Sequence, residues 1–407
     1  MVHSGNAFLG TNRTLLGRHT GYKRAALSAC TGHKGIGVTR PRLLIVASHP
    51  IQYHAPWFRA LQNDGRLEVE VLFLALPDAA DQGVGFARAF EWDVPLLEGY
   101  RWRVAQSAVG GITGGYASLR LREPKTDLAP GNHNVILLTG WHKLGMLQCL
   151  RAAVASGQPV LMRAESNGLA PLSAMSLLKS KWLLRGVTKL LPIGSANERF
   201  YKDTGLSERI GQRVPYFIDN DFFASRADRL RSDRADIRRG FGIPENATCF
   251  LFAGKFVSKK RPADILGALA MVKADHSGIH LLMVGSGALE KELRQMASDL
   301  SLPVSFSGFL NQSEMPSAYA ASDCLVLPSD YGETWGLVVN EAMACGLPAI
   351  VSDRSGCGPD LVRAGATGYQ FRFGDVRQLA VAMTNFAVLD HDSRAAMGEA
   401  AARLVHS

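Results

Sequence analysis

The sequence predicts an α/β fold of two doubly wound domains facing across a cleft. Three observations predict it. Short apolar runs alternate with helical segments in two sets, one from Leu43 to Ile193 and one from Cys249 to Ser352. At 407 residues the chain is long enough for two sizeable cores. The stretch Leu325 to Asp353, LVLPSDYGETWGLVVNEAMACGLPAIVSD, reads as strand, helix, strand, the unit of a parallel sheet. On this reading residues 42–220 form the first domain, residues 221–407 the second, and residues 1–41 a tail.

The net charge of +9 belongs mostly to that tail. Residues 1–42 hold seven Lys and Arg (13, 18, 23, 24, 34, 40, 42) and no acid, leaving 38 Lys and Arg against 36 Asp and Glu. A basic body that binds nucleic acid is therefore not indicated. The tail has no continuous apolar segment, so it is not a secretory signal. It is expected to be disordered; a start codon set too early, or an organelle transit peptide, would also explain its composition. Six cysteines (30, 149, 249, 324, 345, 357) are scattered, with no C-x-x-C and no clustered histidine. That favours a reducing, cytoplasmic setting and suggests no structural metal.

The first domain should open with a buried strand, Leu43 to Ala47. SHPIQYHAPWFRAL then turns from loop into helix. Strands follow at Val69 to Leu74, Val135 to Leu138, Val160 to Arg163 and Leu190 to Ile193, with EWDVPLLEGYRW as loop plus short strand. His49, Tyr53 and His54 follow the first strand, at the carboxyl edge where open α/β sheets bind ligands, and His142 follows a later strand. A single histidine in such a loop is most often structural; three such side chains together weigh a functional role equally with a structural one. Between Pro171 and Leu191, Leu177, Leu178, Trp182, Leu183 and Leu184 interleave with Lys179, Lys181, Arg185 and Lys189. Such a helix either covers the sheet with solvated lysines or lies on an anionic membrane. The covering helix is the favoured reading, because the segment runs directly into a strand.

Ser195 starts a helix ending near Gly205, and the Arg- and Asp-rich run 225–240 marks the domain boundary. The second set begins with the strand Cys249 to Ala253. Gly254 and Lys255 end it, and Lys260 stands just before a helix opened by Pro262. Both lysines lie where a diphosphate would rest, and would stabilise charge on a leaving nucleotide. His280 to Val284 leads into Gly285-Ser286-Gly287, a weak signal because any tight strand-to-helix turn favours glycine. Val304 to Gly308 is a strand and Asn311 to Ala321 a helix. In the central stretch Thr334 is the expected N-cap, with free amides near Trp335, Gly336 and Leu337. Glu333 and Glu341 lie eight residues apart, about 12 Å along a helix axis. An elongated anion with hydroxyls at each end, such as a nucleotide-sugar, suits that spacing.

GETWGLVVNEAMACGLPAIVSD resembles the two-glutamate signature of retaining glycosyltransferases of the GT-B fold, family 4, whose domains are Rossmann-like. Gly332, Glu333, Gly336, Glu341, Ala342, Gly346 and Pro348 carry the likeness. The resemblance implies that Glu333 faces the transferred sugar and Glu341 the ribose. It implies that His142 contacts the donor sugar and that His49 faces the acceptor. Lys255 stands where the family commonly has Arg, which keeps the charge and loses the bidentate fork; Lys260 matches the family's lysine. Glu333, His142, Lys255 and Lys260 are thus the catalytic candidates. Gly254, Lys255, Lys260, Gly285, Gly287, Thr334, Trp335, Gly336, Leu337 and Glu341 are the donor-binding candidates, and His49, Tyr53 and His54 the acceptor-side ones.

The implied reaction moves a sugar from a UDP-, GDP- or ADP-sugar to a hydroxyl of a glycan, a lipid-linked acceptor or a small molecule. Configuration is retained, and no cofactor or metal is expected. No Asp-x-Asp falls in a plausible site. Peripheral contact with the inner face of a membrane is compatible with this. Two departures stand out. His-Pro-Ile-Gln-Tyr replaces the usual Gly-rich turn after the first strand. The closing helices, Asp375 to Phe386 and Ser393 to Val405, are followed by no helix crossing back to the first domain, which puts domain closure in question. The alternatives are a sugar-nucleotide epimerase or phosphorylase-like enzyme, and an inactive nucleotide-sugar-binding remnant.

Overall fold

The computed structural model describes residues 40–129, 133–216 and 218–407, so the tail reading falls outside the described residues. Among them the chain forms strands β1 (Arg42–Ala47), β2 (Glu68–Phe73), β3 (Trp102–Val104), β4 (Ala108–Gly110), β5 (Leu119–Leu121), β6 (Val135–Leu138), β7 (Val160–Met162) and β8 (Lys189–Leu190). Then follow β9 (Thr248–Ala253), β10 (Ile279–Val284), β11 (Val304–Gly308), β12 (Cys324–Leu327), β13 (Ala349–Ser352) and β14 (Gly368–Phe371). One six-stranded sheet has the order β3-β2-β1-β6-β7-β8 and the other β11-β10-β9-β12-β13-β14. Every neighbouring pair within them is parallel. Both orders reverse beside their first strand, the doubly wound pattern, and ligands bind at the carboxyl side of such a reversal. The small β4–β5 hairpin is antiparallel and was not expected.

Burial on both faces explains the unbroken apolar runs. In β9, Cys249, Leu251 and Ala253 join one core while Phe250 and Phe252 join the core on the opposite face. In β1, Leu44 and Val46 face one layer and Leu43, Ile45 and Ala47 the other. The run 225–240 falls in two helices, Asn220–Leu230 and Arg234–Gly240. Both pack against the helix Met315–Ala321 of the second set. That helix starts four residues later than expected, because residues 311–314 form a turn. The last helix, His391–His406, packs against Leu337–Ala344 and Gly358–Leu361 and stays with the second sheet.

The two sheets meet through side chains all the same. Asp360 accepts from the Ser195 amide at 2.8 Å and from Arg213 at 3.1 Å. Asn311 donates to the Glu91 carbonyl at 2.7 Å, and the Ser313 amide donates to Asp93 at 3.1 Å. Contact between the domains thus does not depend on a crossing helix.

Candidate active site

Three strand ends of the second sheet build the floor of a cavity of about 530 Å³. The ends of β9 and β10 lie so close that a Cβ on Gly285 would stand 1.9 Å from the Gly254 carbonyl oxygen. One on Gly287 would stand 2.6 Å from that of Phe256. Close backbone packing therefore explains this G-x-G, with no ligand invoked. After β12 the loop is pinned by Asp330, whose side chain accepts from the Gly332 amide at 2.7 Å and whose carbonyl accepts from the Glu333 amide at 2.8 Å. The helix Leu337–Ala344 begins later than the sequence suggests. Gly336, at φ +101°, is the N-cap in place of Thr334, and its left-handed backbone explains why glycine stands there. The Thr334 hydroxyl is used elsewhere, donating at 3.0 Å to Glu165 across the cleft.

Charged side chains converge on this cavity. Lys260 forms an ion pair with Glu333, and the two side chains are only 16% and 15% exposed. Lys255 donates to the Val84 carbonyl and lies 4.8 Å above the Phe86 ring. Burial lowers its pKa first, and the neighbouring Lys259 and Lys260 charges lower it further. Glu341 is 3% exposed, accepting from the Tyr319 hydroxyl at 2.5 Å, from Gln312 at 3.3 Å and from Tyr53 of the first domain. Burial raises its pKa, and those hydrogen bonds pull it back. The Tyr53 hydroxyl is pushed well above its ordinary range by burial and by the Glu341 charge. On the facing wall Glu165 accepts from Tyr216 and Thr334. Enclosure of its carboxylate raises the pKa, against the Thr334 hydrogen bond and the Arg163 charge. Arg163 is 3% exposed and bonds to the Val214 and Pro215 carbonyls at 3.2 and 3.0 Å. Trp335 is buried, its indole N–H given to Asn340 at 2.7 Å, so it walls the cavity by its position.

Residues 233–404 match the family model for glycosyl transferases group 1. The chain also resembles a GDP-mannose-dependent monoacylated alpha-(1-6)-phosphatidylinositol monomannoside mannosyltransferase of Corynebacterium glutamicum. The two are 32% identical over 174 residues, 41% of this chain and 45% of the relative. A D-inositol 3-phosphate glycosyltransferase of Corynebacterium jeikeium is 34% identical over 195 residues, 46% of this chain and 45% of that one. The chain spans less than half the length of these curated relatives. Solved structures cover more of it. Anabaena HepE, in complex with UDP and glucose, superposes with TM-score 0.66 at 18% identity over 90% of this chain and 94% of its own. A glycosyltransferase from Rickettsia africae gives TM-score 0.66 at 14% identity over 91% and 94%. At such identities the likeness establishes the fold, which is that of the GT-B glycosyltransferases.

The predicted residues divide. Gly254, Lys255, Lys260, Gly285, Glu333, Thr334, Trp335, Gly336, Leu337, Glu341 and Tyr53 line one cavity. His49, His54, His142 and Gly287 do not. His49 lies 2.9 Å from the Ser48 hydroxyl, and burial, then His142 and Lys143, lower its pKa to about 4. His142 reaches solvent, yet partial burial and then Lys143 lower its pKa too. His54 is buried among Trp57 and Phe58, with a pKa lowered to about 3, first by burial and then by Arg163. Among the described residues no group of three or more His, Cys, Asp or Glu is arranged to hold a metal ion.

Several wall residues escaped sequence reasoning. Glu165 follows β7 at the carboxyl edge, the placement that drew attention to His49 and His142, and that signal was available. Residues 79–90, to which the sequence reading assigns no element, carry Phe86 and Phe90 onto Phe309 with ring centroids 5.0 and 4.4 Å apart. The Ser286 hydroxyl donates to the Phe86 carbonyl at 2.7 Å. No periodicity marks that segment, because its partners belong to the other domain.

Proposed function

We propose that the protein is a glycosyltransferase using a nucleoside-diphosphate sugar, and that the cavity between the sheets is its donor site. One observation carries this reading: Glu333 and Glu341 open onto the same cavity as Lys255 and Lys260. The diphosphate lies against the two lysines, Glu341 accepts from ribose hydroxyls, and Glu333 positions the transferred sugar. The HepE complex with UDP and glucose supports a donor of this class. By its likeness to family 4 the transfer retains configuration. The acceptor oxygen bonds to the anomeric carbon on the face from which the diphosphate departs, and its proton passes to the leaving phosphate oxygen. As the anomeric carbon–oxygen bond breaks, charge grows on the diphosphate, and Lys255 and Lys260 meet it without a metal ion. Glu165, facing Glu333 from the first domain, lies on the acceptor's side. Lipid-linked and glycan hydroxyls are both compatible acceptors.

The test is product analysis with UDP-, GDP- and ADP-hexoses and a panel of glycan and lipid-linked acceptors. One base class should be turned over, giving a product of the donor's anomeric configuration by NMR. An inverted product would reject the retaining mechanism. Epimerised donor, or no turnover of any donor, would reject the transferase reading.

A further inference from the structure

The helix Ala174–Leu184 carries apolar side chains on two opposite faces. Leu184 is buried and Leu183 packs against the core of the first sheet, as the covering-helix reading requires. That reading leaves the other face unexplained. Met175, Leu178 and Trp182 are 71%, 61% and 51% exposed. Their i, i+3, i+7 spacing places them in one stripe pointing away from the core. Cations border it: Lys179, Lys181 and Arg185 come from the helix and its cap, and the Arg151 and Arg185 guanidinium groups lie 5.7 and 5.2 Å from the Trp182 ring. No Asp or Glu occurs between Glu165 and Glu198. Val154 and Tyr116 are also exposed, and Tyr116 feels the Arg151 charge.

We infer that this stripe is a docking surface for an anionic lipid bilayer. Its composition selects that occupant. An acid-free apolar stripe with a cationic border matches an interface where headgroups carry negative charge and acyl chains lie just beneath. Trp182, clasped by two arginines, has the amphipathic build of a side chain that sits at the headgroup level. A second copy of the chain would bring the same cations face to face, which disfavours self-association. Among the described residues no helix is long and apolar enough to cross a membrane, and the contact inferred here is that of a surface helix. The inference goes beyond the donor reading and stands without it. Glu165 on the cavity wall and Ala174 at the helix start are nine residues apart, at most about 30 Å of extended chain. A bilayer held at the stripe would therefore lie near the cleft, within reach of a lipid-linked acceptor.

The experiment is cosedimentation of the full chain with phosphatidylcholine vesicles, with and without phosphatidylglycerol, alongside two variants. One is Met175→Ser/Leu178→Ser/Trp182→Ser and the other Lys179→Glu/Lys181→Glu/Arg185→Glu. The wild type should favour the anionic vesicles, and each variant should bind them at least about tenfold more weakly. Both should keep the wild-type melting temperature and far-UV spectrum, which separates lost docking from lost folding. The blue shift of tryptophan emission on vesicle addition should shrink in Trp182→Phe. Equal binding to both vesicle types, or unchanged binding by the stripe variant, would overturn the inference. So would a stripe variant whose only change is conversion of a self-associated species to monomer, which would assign the face to a second copy.

Discussion

Lys260→Met tests the role of the buried ion pair in the proposed donor site. In the free protein Lys260 neutralises Glu333, and both side chains are about four-fifths shielded or more. Removing one partner of a fully buried pair costs roughly 3–5 kcal/mol. Here Glu333 opens into a cavity that admits water, so the expected stability loss is smaller, about 1–2 kcal/mol. Catalysis should suffer more. On the proposed placement of the donor the cation stands where charge appears on the leaving diphosphate, and losing one such preorganised group costs about 2.7–4 kcal/mol, or roughly 10²–10³ in kcat. Lys260→Arg should recover part of that rate. The double variant Lys260→Met/Glu333→Gln, compared with Glu333→Gln alone, separates the two effects. It removes the uncompensated carboxylate and restores stability, but it leaves the leaving group unassisted and restores no rate. The assays are urea denaturation and nucleotide release at saturating donor. A Lys260→Met rate within about threefold of wild type, or a double variant that regains activity, would refute the reasoning.

Other consequences follow from the surrounding fold. Asp323 accepts from Arg234 at 2.7 Å, from Arg238 at 2.8 Å and from the Cys249 amide at 2.7 Å, and Arg238 is 4% exposed. Asp323→Asn should cost about 3–5 kcal/mol by urea denaturation while leaving turnover per folded molecule unchanged. Gly285→Ala forces a methyl against the Gly254 carbonyl and should lower both the melting temperature and nucleotide binding, because the β9 and β10 ends must separate. His49 and His54 have folded-state pKa values lowered to about 4 and about 3 from 6.5. The unfolded chain therefore binds their protons first, and the stability they contribute above pH 6.5 is lost as pH falls toward those lowered values. Each should remove about 2 kcal/mol between pH 7 and pH 5. Replacing His54 by Phe should flatten the pH dependence of the melting temperature over that window.

Much of this was legible in the sequence where the signal was local. The strand ends and the Glu333–Glu341 spacing lie within one continuous stretch, so a linear reading finds them. The partners of Glu341 do not. Tyr319 and Gln312 come from 22 and 29 residues away, and Tyr53 from the other domain. Thr334 had the residue type of an N-cap, but the loop spends its hydroxyl on Glu165, and Gly336 takes the cap through a backbone angle that sequence spacing does not encode. The helix Ala174–Leu184 shows the same limit. Its two apolar faces merge into one pattern in the sequence, and only packing shows that one of them is uncovered.

The most direct test of the donor-site assignment is the melting temperature of the protein with UDP, GDP and ADP, compared with that of Glu341→Gln. A ligand that binds only the native state at a hundred times its dissociation constant adds about 2.7 kcal/mol. One nucleotide should raise the wild-type melting temperature by several degrees and that of Glu341→Gln by much less. If no nucleotide shifts the wild type, or if the variant responds equally, Glu341 is not a ribose ligand and the cavity is not a donor site of this kind.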